Sequence, residues 1–429
     1  MDNEELILKN SELQVASGKQ QVRHSPLATR YLLFATSLVA ALFMRLPVLA
    51  QMPLSLAESA EAWAVWRFWQ AGSDGLLLPI SSPAYFTLTA IVSQLSGHND
   101  AIARLVPALI GTAAALLPWL LHKRLGTIGA FVAAMLMAAS PLHAAIARTA
   151  GGDAIALFSL LLLLTAVIQL HDTHSTRWQT AAAVALGLGF ASSPLFYGGL
   201  FALFLAALVQ RWAEGERWLM VNWKKIGLIA TATFLLSSTL FLWYPAGIGA
   251  AAQLPASWLG SFALTAGLEQ FFHPFFILVR YETIALVLMV GALLWALRDE
   301  RPFSLFLVYW MAATLFLLLV QQGNRDNALL LTLPGFLLIG LKTEQLLAPR
   351  LARGSWIAAL AFITFGAVLF VNLARYARIG TLDSNQFLAI WIGLLLLLLG
   401  LLLLYFWQDW QLTAVFQGAL IAVLAGTFF

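Results

Sequence analysis

Apolar residues along this chain come in long blocks separated by short polar segments. A bilayer core of ~30 Å needs ~20 apolar residues per helix. By that measure the blocks predict about thirteen transmembrane helices, near 28–49, 100–121, 126–145, 153–170, 178–191, 194–210, 226–244, 274–297, 302–320, 327–347, 355–374, 386–407 and 411–428. The pattern therefore predicts an all-α polytopic membrane protein.

In two parts of this pattern the number of membrane crossings is ambiguous. Residues 178–191 and 194–210 are divided by Ser192-Ser193-Pro194, which marks either a loop between two spans or a kink within one. The apolar stretch 83–96 has only 14 residues, which is too short for a span and suits an interfacial or re-entrant helix. We expect that this stretch does not cross the membrane.

Composition supports the membrane class and excludes several others. Of the 429 residues 61% are hydrophobic and 10% are charged, whereas a soluble domain has about 25% charged residues. A cytosolic enzyme and a disordered scaffold are thereby excluded, and a net charge of +4 is too small to indicate a nucleic-acid partner. Without cysteine there is no disulfide, iron–sulfur cluster, thiolate zinc site or cysteine nucleophile.

The basic residues predict the orientation in the cytoplasmic membrane. With the N-terminus inside, 16 of the 24 lysines and arginines fall on the cytoplasmic side, as the positive-inside rule requires. Counting 83–96 as a span would reverse the predicted orientation of every later segment and place its cytoplasmic basic residues outside. We therefore expect a cytoplasmic tail at 1–27, a transmembrane domain at 28–429 with an extracytoplasmic C-terminus and no soluble C-terminal domain, and an active face outside.

Two predicted external loops stand out by length, 50–99 and 245–273. An enzyme of this shape would use such loops to roof a cavity between helices. The first loop carries Glu58 and Glu61 one helical turn apart. An acidic residue beside a bilayer is often functional, so both are candidate catalytic residues, although a solvated surface position is the alternative.

The same loop segment has an aromatic stripe. Trp63, Trp66 and Trp69 recur at a spacing of three in a stretch that reads as an amphipathic helix. Tryptophans in this arrangement are typical of an anchor at the membrane interface. We expect anchoring for these three side chains.

Further charged residues lie at predicted external span ends. Arginine suits the fixed geometry of a phosphate group, and a carboxylate suits a general base, so the set indicates a lipid-phosphate substrate. A charge at a span end can also reach water without any function, which is the alternative for each. The members are Arg104, Arg148, Asp153, Arg280, Glu282, Arg325 and Asp326.

Histidines do not add a metal site to the sequence. His171 and His174 lie three apart in a predicted cytoplasmic turn, which is more typical of a solvated loop. His98, His143 and His273 are scattered without the spacing of metal ligands. A phosphate loop, a dinucleotide fingerprint and a Ser–His–Asp order are not apparent either.

Several short motifs together resemble one family. They are Pro53-Leu54-Ser55-Leu56-Ala57-Glu58, Ser82-Pro83-Ala84-Tyr85, Gly97 and Arg104 ahead of Ala108-Leu109-Ile110-Gly111, Ser140-Pro141 before Arg148 and Asp153, Arg325 ahead of Leu333-Pro334, and Arg280-Tyr281-Glu282. The chain resembles the GT-C superfamily of integral-membrane glycosyltransferases, which includes protein O-mannosyltransferases (PMT) and lipid A aminoarabinose transferase. The last motif is similar to a flippase-associated PMT-like subgroup.

The resemblance implies a reaction on the external face. A sugar would move from a polyprenyl-phosphate donor to a lipid, glycan or protein acceptor in the cell envelope. A first-loop acid would act as base, and arginines would hold the lipid phosphate. Some relatives use a divalent cation, and nothing in this sequence identifies one. The expected partners are the lipid donor and membrane lipid, with membrane-protein partners left open.

One position departs from the family pattern. The first loop of the family carries an Asp-Glu pair whose aspartate is catalytic, and the matching pair here is Ala57-Glu58. We therefore predict catalytic roles for Glu58, Glu61 and Asp153. Lipid-phosphate binding is predicted for Arg104, Arg148 and Arg325.

Two other functions remain open on the sequence alone. Loss of the aspartate is compatible with an inactive subunit that binds lipid or partners in an envelope-glycan assembly. A transporter or flippase of polyprenyl-linked sugars is the third alternative.

Overall fold

The computed structural model describes residues 26–72, 80–214, 222–262, 268–299, 301–321, 324, 326–347, 354–364, 393 and 412–428. All regular structure in these ranges is helical, as predicted. The helices are α1 Pro26–Arg45, α2 Leu56–Ala71, α3 Pro83–Ser96, α4 Asp100–Leu116, α5 His122–Leu125 after a 3-10 segment Leu117–Leu121, α6 Thr127–Ala139, α7 Pro141–Ala147, α8 Asp153–Thr173, α9 Thr176–Phe190, α10 Pro194–Glu214, α11 Trp223–Ser238, α12 Gly247–Gly260, α13 Leu268–Tyr281, α14 Thr283–Ala296, α15 Pro302–Val320, α16 Asp326–Leu347, α17 Gly354–Thr364 and α18 Leu412–Phe428.

The described helices are those of an integral membrane protein. Six helical segments, some of them made of consecutive helices, are long and apolar enough to cross a bilayer. The number is eight if each of two bent helix pairs is taken as one span. The bends are 62° between α6 and α7 and 101° between α13 and α14. The number of thirteen spans is not confirmed, because several described helices are shorter than a span and the predicted span 386–407 lies almost wholly outside the described residues. The orientation of the termini stays a prediction.

The short apolar stretch in the first loop forms a helix with the predicted bounds. Pro83 occupies the first turn of α3, where its missing N–H costs no hydrogen bond. The Ser82 hydroxyl accepts the Tyr85 N–H at 3.4 Å, which caps the helix. Gly97 ends it at a φ of +86°, a conformation that glycine adopts without strain.

One predicted break agrees with the structure, and one predicted span does not. The chain breaks at residues 191–193, so the stretches 178–191 and 194–210 belong to separate helices, α9 and α10, and not to one kinked helix. The predicted span 226–244 was too long, because α11 ends at Ser238. Leu240, Phe241 and Leu242 follow with positive φ angles of 48°, 55° and 74°, which no α-helix can contain.

The centre of the bundle is α16, whose residues from Asn327 to Thr343 are buried. It crosses α6 at two glycines. A Cβ on Gly129 would lie 2.6 Å from the Gly340 carbonyl oxygen, and one on Gly340 would lie 2.4 Å from the Gly129 oxygen. Small residues allow this backbone contact, which stabilises helix pairs in membranes. Glu344 then caps α6 by accepting the N–H groups of Ile128 at 2.8 Å and Gly129 at 3.0 Å.

The two long predicted external loops pack against each other. Phe68 of the first loop, Phe86 of α3 and Tyr244, which directly precedes the second loop, form an aromatic cluster with ring centroids 5.6 to 6.0 Å apart, and Ala250 of the second loop packs against it. Trp69 contacts Trp243 at 6.0 Å. These contacts place both loops at the same end of the bundle, which is the end that the sequence predicts to be external.

Candidate functional site

The first-loop helix α2 is fixed at its start by a reciprocal cap. The Ser55 side chain accepts the Glu58 N–H at 3.4 Å, and the Glu58 carboxylate accepts the Ser55 N–H at 2.9 Å. This capping box satisfies two N–H groups that the helix itself leaves unpaired. Residues at helical spacing from Glu58 to Phe68 form its buried face. The box therefore turns both candidate glutamates, Glu58 and Glu61, toward the protein.

Glu58 is paired with Arg104 of α4. The Arg104 Nε donates to Oε1 of Glu58 at 2.8 Å and its Nη2 donates to Oε2 at 2.9 Å. The remaining guanidinium donors reach main-chain carbonyls of the first loop, those of Leu49 at 2.8 Å and Met52 at 2.7 Å from Nη1. The N–H of Ala150 also donates to Glu58 at 3.0 Å. The pair thus joins the first loop, α4 and the turn before α8.

This pairing sets the protonation of Glu58. Burial by itself would raise the pKa of Glu58. The hydrogen bonds from Arg104, from the Ala150 N–H and from Ser55 outweigh it and bring the pKa down to about 2. A carboxylate so well satisfied is a weak proton acceptor, and the Arg104 donors are occupied. The geometry favours positioning roles for both residues, while their predicted catalytic and phosphate-binding roles stay predictions.

Glu61, one turn further along α2, has a different environment. Its Oε1 accepts the N–H of Ser81 at 3.1 Å and the Ser81 hydroxyl. Its Oε2 is buried without a hydrogen-bond partner among the described residues. Burial raises the pKa of the Glu61 carboxyl, and the Ser81 hydrogen bonds only partly oppose this. Glu61 is therefore the first-loop acid whose proton affinity is increased.

Three chain segments cross in close contact between Glu61 and Asp153, at Ser82, Gly152 and Ser192. The Ser82 hydroxyl, next to Ser81, donates to the Ser192 carbonyl at 2.6 Å. Gly152, next to Asp153, packs against both groups, because a Cβ there would lie 2.1 Å from the Ser82 oxygen and 2.2 Å from the Ser192 oxygen. The crossing therefore holds the N-terminus of α8, where Asp153 stands, against the first loop.

Asp153 lines the largest of the described cavities. The cavity has a volume of about 780 Å³, within the range of ~300–1,000 Å³ that is usual for ligand sites. Its walls combine charged and apolar side chains, which suits an amphiphilic ligand. The lining residues are Pro141, Leu142, Ala145, Ile146, Asp153, Leu195, His273, Phe276, Ile277, Arg280, Tyr281, Asp326 and Leu329.

Arg280 contributes a positive charge to the lining of this cavity, and it lies beside a sharp bend between two helices. The Glu282 carboxylate is buried and accepts the Ser140 hydroxyl and the Leu142 N–H, which caps α7. The chain bends by 101° at this residue. Arg280 lies just before the bend, at the end of α13, with its guanidinium 5.4 Å from the Tyr281 ring centre. An exposed guanidinium beside an apolar wall can bind a phosphate head group.

Two other arginines were predicted to bind phosphate on this side, and the structure describes one of them, Arg148, which does not line this cavity. Arg148 is half-buried and directs its guanidinium to the end of α1, with long contacts of 3.4 Å to the Met44 carbonyl and 3.5 Å to that of Val48. Arg325 lies outside the described residues, although its neighbour Asp326 lines the cavity. Phosphate binding by Arg148 and Arg325 therefore stays a prediction.

Sequence reasoning placed Arg280 in the external charged set but did not predict that Arg280 and His273 line one cavity. The Arg280-Tyr281-Glu282 motif was visible, but the burial of Glu282 and the bend that it supports were not. Among the described residues no group of three or more histidines, aspartates or glutamates could hold a metal ion. His143 is buried and shares a hydrogen bond of 2.8 Å with Thr332, so it is used within the helix packing.

Fold and cavity together define a polytopic membrane protein with a charged, partly apolar site at one end of its bundle. A family model described as dolichyl-phosphate-mannose-protein mannosyltransferase matches residues 80–243. The apo structure of ArnT from Cupriavidus metallidurans is 15% identical, with 93% of this chain and 75% of that chain covered and a TM-score of 0.59. The structure of the same protein bound to undecaprenyl phosphate is 16% identical, with 94% of this chain and 76% of that chain covered and a TM-score of 0.59.

A third similar structure is the oligosaccharyltransferase from Archaeoglobus fulgidus tethered to an acceptor peptide with the NVT sequon. It is 13% identical, with 93% of this chain and 55% of that chain covered and a TM-score of 0.50. No curated protein sequence matches the chain. The chain thus has the fold of the GT-C superfamily, and the resemblance to its PMT and aminoarabinose-transferase members is confirmed. The flippase-associated subgroup stays a prediction.

Proposed function

We propose that the protein is a membrane glycosyltransferase that takes a sugar from a polyprenyl-phosphate donor and transfers it to an extracytoplasmic lipid, glycan or protein. The observation that carries this is the cavity in which Asp153 and Arg280 share walls with apolar side chains. An isoprenoid phosphate has matching chemistry, an anion on an apolar chain. The undecaprenyl phosphate bound by the similar ArnT structure supports the same class of ligand.

In the proposed reaction the acceptor hydroxyl oxygen attacks the anomeric carbon of the donor sugar. The bond from that carbon to the phosphate oxygen breaks, and polyprenyl phosphate leaves with the bonding electrons. Arg280 stabilises the charge on the phosphate, which is the main requirement of such a displacement. Asp153 takes the proton of the attacking hydroxyl, and the Glu58–Arg104 pair and Glu61 hold the first loop in place.

A second function has one observation in its favour. Ala57 stands where the family pattern has an aspartate, and the neighbouring Glu58 is engaged by Arg104. An inactive relative that holds polyprenyl phosphate for an envelope-glycan assembly would keep the cavity and lack the turnover.

The experiment that tests both is titration of the purified full chain with a polyprenyl-phosphate sugar, with binding and released polyprenyl phosphate measured together. Release that requires an added acceptor and Asp153 supports the transferase. Tight binding without release, across a panel of lipid, glycan and peptide acceptors, supports the inactive subunit. Absence of binding excludes both functions.

A further inference from the structure

A second cavity lies beside α2. It has a volume of about 250 Å³ and none of its lining residues belongs to the cavity of Asp153. Its walls come from α2, α3 and the start of α4. The lining residues are Leu54, Ser59, Ala62, Trp63, Val65, Trp66, Thr89, Ser93, His98, Asn99, Asp100, Ile102 and Ala103.

Two tryptophans form one wall of this cavity. Trp63 and Trp66 have ring centres 4.7 Å apart at an angle of 34°, so the two rings stack on each other at a tilt, and their remaining faces and edges form the aromatic surface. Trp63 is 50% exposed, which leaves part of that surface open. The flat face of an indole binds apolar C–H groups and tolerates polar groups around its edge.

The rest of the lining is partly polar and carries both donors and acceptors. Asn99 uses its amide oxygen to accept the Ile102 N–H at 2.9 Å, so its amide hydrogens remain to donate. Ser59 and Ser93 donate to main-chain carbonyls of their own helices at 2.8 Å and 3.0 Å, so their oxygens remain to accept. Asp100 adds a carboxylate. A ligand for this wall needs groups that both donate and accept hydrogen bonds.

We propose that this cavity is a saccharide-binding subsite. A pyranose ring has an apolar C–H face, which fits the Trp63–Trp66 surface, and a rim of hydroxyl groups, each of which donates and accepts. Acyl chains match the tryptophans but not the wall of Asn99 and Asp100, because burying a carboxylate against a hydrocarbon chain is costly. The geometry therefore favours a sugar over a membrane anchor at Trp63 and Trp66.

The role of the subsite follows from its place and rests on the proposed function. Neither Glu58 nor Glu61 lines it, and it shares no lining residue with the cavity of Asp153. A sugar in the subsite is therefore not the sugar that receives the transferred unit. It is another unit of an acceptor glycan, held so that the chain reaches the cavity of Asp153.

The test measures saccharide binding without any lipid donor, so that its failure is distinct from a failure of transfer. Saturation-transfer NMR on the full chain in nanodiscs would use maltohexaose and chitohexaose as probes. We expect signals at the ring C–H protons of at least one probe. Trp63→Ala and Asp100→Asn should each weaken that binding by about tenfold. The matched control Trp212→Ala, at an 88% exposed tryptophan on α10, should leave it unchanged.

Three results would overturn the proposal. One is the absence of binding by both hexasaccharides to the folded wild-type chain. Another is equal loss in the Trp63→Ala and Trp212→Ala variants. The third is strong quenching of Trp63 and Trp66 fluorescence by brominated acyl chains, read as the difference from the double variant Trp63→Phe/Trp66→Phe, which would make these side chains a membrane anchor.

Discussion

Arg104 and Glu58, 46 positions apart in the chain, meet in a two-point ion pair with distances of 2.8 and 2.9 Å. Both side chains are more than nine-tenths buried. Because Arg104 also donates to carbonyls of residues 49–53, the pair ties the exit of α1 to α2 and α4. It gives this end of the bundle, which the sequence predicts to be external, a fixed shape before any substrate arrives.

Breaking this pair should cost stability. Arg104→Met leaves the buried Glu58 carboxylate without its cation, and such a loss typically costs about 3–5 kcal/mol. Thermal unfolding in detergent should show a large fall in Tm. The double variant Glu58→Gln/Arg104→Met should regain part of that loss, because it removes the uncompensated charge. A Tm for Arg104→Met equal to that of the wild type would contradict the structural role of the pair.

The Glu58 pKa of about 2 predicts a loss of stability in acid. Unfolded, a glutamate titrates near ~4.3. Since the folded value is lower, the contribution of Glu58 is complete above the unfolded pKa and disappears as pH falls from there toward 2. The wild-type chain should lose more Tm across this window than Glu58→Gln does. Parallel curves for the two chains would refute the coupling.

Glu61 predicts the opposite pH dependence. Because burial raises its pKa, its protonated form stabilises the fold at low pH, and that contribution is lost as pH rises through the folded pKa. Glu61→Gln, whose amide carries no charge, should therefore raise Tm at pH 8 and have little effect at pH 4. Glu269→Gln, at an exposed glutamate of α13, is the control and should shift Tm at neither pH. A lower Tm for Glu61→Gln at pH 8 would show that the buried carboxylate is stabilised there.

The crossing beside Asp153 offers a sharp steric test. Gly152→Ala places a methyl group about 2 Å from the Ser82 and Ser192 oxygens, so the loop or α8 must shift. Overpacking of this kind costs about 1–3 kcal/mol, and we expect transfer activity to fall with it. Gly151→Ala is the matched control, because a Cβ at Gly151 has no atom within 4 Å. Similar activity and Tm for the two variants would mean that the crossing tolerates displacement.

Arg280 and Asp153 should affect different steps. Arg280→Ala removes charged hydrogen bonds worth about 1.5–3 kcal/mol, so binding of polyprenyl phosphate should weaken by roughly 10- to 100-fold. Arg177→Ala, at an exposed arginine of α9, is its control. Asp153→Asn should keep binding within a few-fold and abolish the acceptor-dependent release of polyprenyl phosphate. Full release by Asp153→Asn would assign the proton transfer to another group.

Sequence pattern predicted the helical membrane class and the bounds of α3, because apolar length and a Ser-Pro cap are local signals. It did not reveal the state of Glu58, since the partner Arg104 lies 46 positions away and no periodicity relates the two. Arg45 shows the same limit. It lies near the end of the predicted span 28–49, where a basic side chain commonly reaches water, yet it is 1% exposed and donates to the carbonyls of Met137 and Ala138 at the end of α6. A charged residue at a predicted span end can be placed along the chain from the sequence, but the groups that it contacts cannot.

The contact of Gly129 with Gly340 has a consequence for how the protein is made. Helix α6 is synthesised long before α16, and the Ile128–Glu344 hydrogen bond beside the glycines spans 216 positions. Until α16 has been synthesised, the glycine face of α6 lacks its packing partner, and its first N–H groups lack the Glu344 carboxylate. The N-terminal half therefore cannot complete its packing before the central helix has entered the membrane.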